Sequence, residues 1–578
     1  MIRLLRVRIA GEHGVALPMV LGITVVLGLL VTTAVAFSTG GFRQAAATQE
    51  WSASLAAAYA GVEDYQSRLS EDTSYVQYGN PAAAFSVGSD VRLPTGVNTN
   101  AAFNVAAGQA WVTIPGGVGG SSFRYEVDNS KYAGSGVIRV RSTGKVGTET
   151  RTIVADLRQS GFIDFLYFTD YEIQDPAFSG EAASCVKYWW DGRSGISGNC
   201  GEIAFGGNDV VDGPAHSNDT IRVCSATFLG AVTTSYAPAS GLRYNPKDSN
   251  GSNCSGQVFA LPASPAFSPV IGMPATNSQH LRETRSDLIT NGVPRPGCLY
   301  TGPTEIQLNS NGTITVRSPW TKKTRITGSP ATGGSTPSEC GTISQITGSS
   351  GATFALPSSN VIYVQDVPAV SSDPNYSGTK NKDMPSGLKC EGEDGQSNGN
   401  GIGYPTNNEV ATSSSYGCRS GDLFVKGTLK GQTTLSAEHY IYVTGDIKYN
   451  DPLEDVLGLV GNDAVWVWNP AKSSSSTVLS DSARRIDAAI LSVGHTFAVQ
   501  NPGVGSGRGT LTVNGAIAQK FRGIVRSGSA GYTKNYVYDT RLRYTAPPKF
   551  LSPVTTTYGV NVWIEVKPAF DSLGATIS

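Results

Sequence analysis

Residues 15–37 read VALPMVLGITVVLGLLVTTAVAF, an apolar run without a single charge. A helix of that length spans about 35 Å, enough for the hydrocarbon core of a bilayer. Ahead of it stands MIRLLRVRIAGEHG, residues 1–14, with Arg3, Arg6 and Arg8 against one acid, Glu12. Arginines on that flank keep this end in the cytoplasm and send the rest of the chain outward. A secretory signal has a shorter apolar run and a small-x-small cleavage site, which this stretch lacks.

The helical pattern continues past the apolar run. Trp51, Leu55, Ala58, Val62, Tyr65 and Leu69 fall at alternating spacings of four and three, a heptad stripe on one face. Gly40 and Gly41 bend a helix without ending it. Pro18 is tolerated at the start, where the first turn needs no amide donor. The spacing therefore predicts one long helix from Pro18 to about Leu69, apolar in front and amphipathic behind.

Gly14 before an uninterrupted apolar run, the short basic leader, and AAAYAGVEDY at residues 56–65 together resemble the type IV pilin family, in particular PilX-like minor pilins and pseudopilins. The resemblance covers residues 1–160. It implies cleavage by a prepilin peptidase between Gly14 and Val15, with the apolar helix retained. It also implies partnership with other pilin subunits and membrane lipid through that helix. An uncleaved single-pass anchor is the alternative. Most of the family carries Glu at the fifth mature position, and here that position is Met19. A carboxylate in an apolar bundle is costly unless paired, and a subunit without it offers no such pairing to a subunit ahead of it. Either the chain sits at a filament tip, or it never enters a filament.

After the helix the pattern changes to short alternating runs: Phe123-Arg-Tyr-Glu-Val127, Val137-Ile-Arg-Val140 and Thr152-Ile-Val-Ala155. Gly144-Lys-Val-Gly147 supplies turn chemistry between the last two. The expectation is a small antiparallel sheet laid across the helix. Beyond it, Phe228-Leu-Gly-Ala-Val232, Val425-Lys-Gly-Thr-Leu429, Val443-Thr-Gly-Asp-Ile447 and Val513-Asn-Gly-Ala-Ile517 share one form, apolar-x-Gly-x-apolar. The step from Gly427 to Gly445 suits one rung of a solenoid. A β-sandwich or a set of small β modules is the alternative. GDLFVKGTLKGQTTLSAEHYIYVTGDIKY, DVLGLVGNDAVWVWNP and LTVNGAIAQKFRGIV, within residues 421–553, resemble the right-handed β-helix portions of large Gram-positive surface proteins with pilin-type N-termini. GPAHSNDTI, residues 213–221, resembles an entry rung of the same kind.

Composition agrees with a strand-rich chain. Of 578 residues, 68 are Gly and 15% are charged, against a usual charged share of about 25%. Long solvated helices would need more Glu and Lys. Hydrophobic residues at 39%, with 24 Tyr, 19 Phe and 8 Trp, exclude wholesale disorder. The balance of 44 basic to 45 acidic residues excludes a strongly basic nucleic-acid binder on bulk charge. No specific nucleic-acid partner is expected. Cys185, Cys200, Cys224, Cys254, Cys298, Cys340, Cys390 and Cys418 form an even set without a C-x-x-C, which in an oxidising compartment reads as disulfides. Taken two by two in chain order they lie close in sequence, which suggests sequential pairing.

Candidate sites are few. Tyr188, Trp189 and Trp190, between Cys185 and Cys200, could form an aromatic platform for a ligand, or could simply pack under their loop. Asp170, Glu172 and Asp175, like Asp451, Glu454 and Asp455, could supply paired carboxylates but suit turns equally. Asp394–Asn400 resembles a calcium loop but has Pro405 where a bidentate Glu is needed. His216, His439 and His495 flank strands and read as packing or turn residues. Lys322, Lys323 and Arg325 form a small basic cluster. No serine elbow, phosphate loop or metalloprotease helix is present. No catalytic residue, metal or cofactor is expected.

The expectation is thus an α+β, mainly β protein. It divides into a leader (1–14), a transmembrane and amphipathic helix (15–70), a sheet head (71–160), a β-rich disulfide-containing region with loops (161–420), a right-handed β-helix-like region (421–560) and a C-terminal tail (561–578). The expected role is structural: a minor or tip subunit of a pilus-like filament, adhesive or assembly-initiating. It would be anchored in the cytoplasmic membrane with its head outside the cell, presenting the head to a surface ligand. A β-helical polysaccharide-active enzyme is the alternative from another class.

Overall fold

The computed structural model describes residues 16–577, apart from 97–98, 133–136, 160, 196–199, 208, 289–295, 358, 386–398, 411–415, 481–482 and 554–557. Gly14, Val15 and Cys390 lie outside the described residues. The chain divides into two compact units. The first holds residues up to Asp128, then Arg139–Leu157 and Val560–Ser578; the second holds Asn129–Ile138 and Arg158–Gly559.

In the first unit, α1 is a single helix, Ala16–Glu71, that continues unbroken through Gly40 and Gly41. Residues 16–49 are all exposed. Within this half the hydroxyls of Thr24, Thr32, Thr33 and Thr39 each donate to a carbonyl one turn back, at 2.8–2.9 Å. These four hydroxyls are satisfied inside the helix itself, as a hydrocarbon environment requires.

From residue 50 onward α1 is seated. Its buried residues are Ser54, Ala57, Ala58, Gly61, Val62, Tyr65 and Leu69. The expected stripe holds at Ala58, Val62, Tyr65 and Leu69 but fails at Trp51, which is exposed beside Arg151. The reason is close approach: small residues let the helix lie almost on the sheet backbone, and an indole would hold it off. The sheet has the order β1 (Val112–Thr113), β2 (Ser122–Asp128), β3 (Val137–Val146), β4 (Glu149–Gln159) and then the C-terminal strand Tyr558–Val566. The β1–β2 and β2–β3 pairs are antiparallel. Gly144, expected in a turn, lies inside β3 opposite Phe123, and only Gly147 takes the left-handed turn conformation. Tyr65, Tyr75, Phe103 and Tyr125 meet at the centre.

The expected C-terminal tail is instead structural. Tyr558–Val566 forms the edge of the sheet. Glu565 pairs with Arg151 through both oxygens, Ala569 donates its amide to Thr152 Oγ1 at 2.9 Å, and Phe570 is fully buried. Buried Arg124 donates to the Gly574 carbonyl and lies 4.5 Å over Trp111.

The second unit is mainly parallel β. One column of paired residues crosses it: Phe267, Thr234, Ser217, Thr169, Gln519, Ser492, Gly461, Ala437, Val364, Tyr300. The chain enters in the middle of this column at β5 (Tyr167–Tyr171) and builds outward through Ala215–Ser217, Thr227–Thr234 and Val258–Phe267. It then crosses to the far end at Cys298–Thr301 and returns rung by rung until Gly507–Phe521 pairs with β5. The expected split at residue 420 is therefore absent, since segments from both sides share one column. Within residues 213–221, Ala215–Ser217 forms a strand that pairs in parallel on both sides.

A second ladder runs Thr304–Leu308, Leu423–Leu429, Ile441–Tyr449, Val465–Val467 and the end of Arg484–Val499. Its inward residues Ile306, Val425, Val443, Val467 and Val499 are buried in the main core. Leu423 pairs with Ile441, which is the expected rung step. A bulge then sets Gly427 opposite Ile447, so Gly445 is not its partner. Thr304–Leu308, Thr313–Arg317 and Ala352–Ala355 add an antiparallel sheet. The pairings close on themselves, as in a barrel.

Candidate functional site

Short links between strands of the two ladders bring their residues onto one another. The result is a row of alternating carboxylates and imidazoles. Asp366 Oδ2 meets His439 Nε2 at 3.1 Å, and His439 Nδ1 meets Asp463 Oδ2 at 2.7 Å. Asp463 Oδ1 lies 3.9 Å from His495 Nε2, and His495 Nδ1 meets Asp175 Oδ2 at 2.6 Å. Hydrogen bonds to Asp366 and Asp463 push the His439 pKa from 6.5 up to about 11. Burial works against the charged form of His495, but Asp175 and Asp463 outweigh it and raise its pKa. The His439 imidazole is thus held as a cation, with no lone pair to accept a proton, and the charged form of His495 is favoured by the same kind of partner. Just beneath lies Asp422, fully buried, its pKa raised by burial to about 7; Oδ1 accepts the Tyr440 amide and Oδ2 has no partner among the described residues.

Beside this row the outward residues of the second ladder form a column: Glu305, Phe424, Tyr442, Trp466, Ala498. Phe424 and Tyr442 stack at 4.8 Å, and Tyr404 covers Phe424 at 4.1 Å. The rings end at Ala498. A cavity of about 340 Å³ opens there, between Trp466, Tyr440 and Tyr442 on one side and the short helix Pro176–Ser179 on the other. Asp175 fixes that helix twice: Oδ1 caps the Ala177 amide and Oδ2 holds His495. The helix presents Phe178, 40% exposed, edge-on to Trp466 at 5.0 Å and tilted to His495 at 5.1 Å. This volume falls at the lower end of the range of small-molecule sites.

The structure uses the sequence-derived candidates differently. Tyr188 stacks on Tyr171 and on Trp190, and Trp190 stacks on Tyr236, each ring within 6.0 Å of the next. The Tyr188 hydroxyl donates to Asp170, and Trp189 lies 5.9 Å from Arg193. Tyr188 and Trp190 thus stack on each other, and Trp190 stays 40% exposed. Asp170, Glu172 and Asp175 do not act as a pair. Asp170 accepts from Tyr188 and Asn218, Glu172 is buried against Arg522, and Asp175 serves His495. Asp451 and Asp455 accept backbone amides in a turn. Burial drives the pKa values of His216 and His280 down to about 4, so both are neutral. Lys322 donates to the Tyr376 carbonyl, and Arg325 pairs with Glu339. The calcium-like segment falls mostly outside the described residues. Among those described, no group of three His, Cys, Asp or Glu is set to hold a metal.

Disulfides join Cys185 to Cys200, Cys224 to Cys254 and Cys298 to Cys340, which are three of the sequential pairs. Cys418 is also disulfide-bonded.

Phe178, Trp466, Asp366 and Asp463 were not singled out from the sequence. A signal exists in LSAEHYIYV (435–443), LVGNDAVWV (459–467) and LSVGHTFAV (491–499). Each has an apolar run, a corner with His or Asp at its fifth position, and a second apolar run.

No family model and no curated protein matches the chain. Among solved structures, the competence-associated pilin ComZ from Thermus thermophilus overlaps 89% of this chain and 97% of its own, with 12% identity and a TM-score of 0.25. A likeness at that level carries no argument.

Proposed function

We propose that this chain is a pilin-type structural subunit of the cell envelope. The front half of α1 lies in the cytoplasmic membrane and packs against the helices of other pilin subunits on assembly. The parallel unit, read as a right-handed β-solenoid, is the displayed head on the outer side. The observation that supports this best is the division of α1. The part before residue 50 is exposed and mainly apolar, and the part after it is seated by small residues on an antiparallel sheet. A helix with one exposed apolar half, built as one piece with a seated half, suits a subunit that exchanges lipid for neighbouring helices. The three disulfides suit an oxidising compartment outside the cytoplasm.

Met19 in place of the family's glutamate favours a minor subunit at the tip. The head supports that position, because a unit as large as Arg158–Gly559 crowds a tightly packed shaft. Its role is to present the head, adhesive or assembly-initiating, rather than to catalyse. Filaments sheared from cells and probed by immunogold labelling test this: label at filament ends supports it. Label confined to the cell envelope would favour the uncleaved anchor.

A further inference from the structure

The cavity at the end of the aromatic column is a site that the structural role does not use. Four features define its chemistry. The rings of Trp466, Tyr440 and Phe178 line it and lie at steep angles to one another, 49° to 66°, so they are not stacked face to face. Its floor is small, made by Ala498 and Gly523. A Cβ on Gly523 would run into the Phe497 carbonyl, so the backbone itself forms that surface. Its polar groups include three amides and a carboxylate: Gln174, Gln500, Asn501 and Asp175. The Gln174 side chain has no hydrogen-bond partner among the described residues, and Asn501 commits only its Nδ2, to Asn469.

The remaining feature is what the cavity does not offer. Its lining cation, Arg522, is buried, donates through Nη1 to Glu172 and to the Ile203 carbonyl, and lies against Phe205; its Nη2 has no hydrogen-bond partner among the described residues. The nearby His495 imidazole is already bound to Asp175 through Nδ1. An anion such as a phosphate or a uronate would meet the Asp175 carboxylate, while the charge of Arg522 is already balanced by Glu172. An acyl chain would bury Gln174 and Asp175 against hydrocarbon, at the cost of their hydrogen bonds. A neutral sugar fits both halves of the chemistry, since its C–H faces stack on aromatic rings and its hydroxyls bond amides and carboxylates.

We infer that this cavity binds a neutral oligosaccharide, one pyranose ring lying against Trp466 and Phe178 with its hydroxyls held by Gln174, Asn501 and Asp175. The site lies wholly within the parallel unit. It stands or falls independently of how α1 is processed.

The test uses the full chain in a zwitterionic detergent without a sugar headgroup. Cellohexaose, maltohexaose and N-acetylchitohexaose are titrated with tryptophan fluorescence and calorimetry as readouts, alongside polygalacturonate and phosphatidylglycerol vesicles. Binding of at least one neutral hexasaccharide is expected. Phe178→Ser, on an exposed short helix, and Ala498→Trp, which extends the ring column into the cavity, should each weaken it by about tenfold or more. Their melting temperatures show whether each variant folds. Should Ala498→Trp fail to fold, Phe178→Ser with Gln174→Ala serves in its place. Three results would overturn the inference: no binding of any neutral sugar at millimolar concentration, binding unchanged in the folded variants, or preferential binding of polygalacturonate or the vesicles.

Discussion

Gly144 of β3 lies so close beneath Ser54 of α1 that a Cβ there would run into the Ser54 carbonyl oxygen and the Ala58 amide. Gly61 repeats the relation from the helix side, against Ser142 and Phe123. The helix thus rests on the sheet at two places where only hydrogen fits. Gly144→Val should destabilise the first unit by at least about 1–3 kcal/mol, the usual cost of overpacking. Limited proteolysis should then cut α1 near its seat. By contrast, Gly40→Ala and Gly41→Ala, with nothing within 4 Å, should be neutral or slightly stabilising through helix propensity.

His439 should make stability depend on pH in the alkaline range. Its folded pKa, about 11, stands above its ordinary 6.5 because Asp366 and Asp463 hold the charged form. A raised pKa stabilises fully below pH 6.5, and the contribution is lost as pH rises through 11. His439→Gln should therefore lower the melting temperature most near pH 5–6. Its gap to the parent should narrow steadily toward pH 10.

Asp422 should act in the neighbouring window. Burial raises its carboxyl pKa from 3.8 to about 7, so the folded state holds a proton that the unfolded state releases. Stability from this group falls as pH climbs from about 4 to 7 and stays low above that. Asp422→Asn keeps the acceptor for the Tyr440 amide and removes the ionisation. It should raise the melting temperature at pH 8 and change little at pH 4.

The Cys298–Cys340 bridge closes 42 residues that include the antiparallel strands Thr304–Leu308 and Thr313–Arg317. In the chain-entropy account a loop of that length contributes about 4 kcal/mol. The double variant Cys298→Ser with Cys340→Ser should show a loss of that order in denaturant unfolding.

How far these features could be read in advance depended on the range of the interaction. The helix α1 is a local pattern, and its limits follow from an unbroken apolar run and a heptad. The sequential disulfides are also short-range. Trp51 misled because periodicity marks which residues share a face, not how near the sheet backbone comes, and Gly144 decides that. The strand Tyr558–Val566 was missed because its partner β4 lies far back in the chain, with the whole parallel unit between them, and one short alternating run does not name its neighbour. The column also is not in chain order: β5 pairs with Gly507–Phe521, so no scan for consecutive repeats would join them. The middle of the carboxylate–imidazole row, His439, Asp463 and His495, was written in the three aligned stretches ending at Val443, Val467 and Val499. It becomes visible only once register places their corners on one another.

The central claim, that α1 is a processed pilin-type helix, is tested most directly at its own N-terminus. Mass spectrometry of the mature chain, from cells with and without their prepilin peptidase, should find a peptide beginning at Val15 only where the peptidase is present. An intact Gly14–Val15 bond in both strains would contradict the account, leaving α1 a fixed anchor.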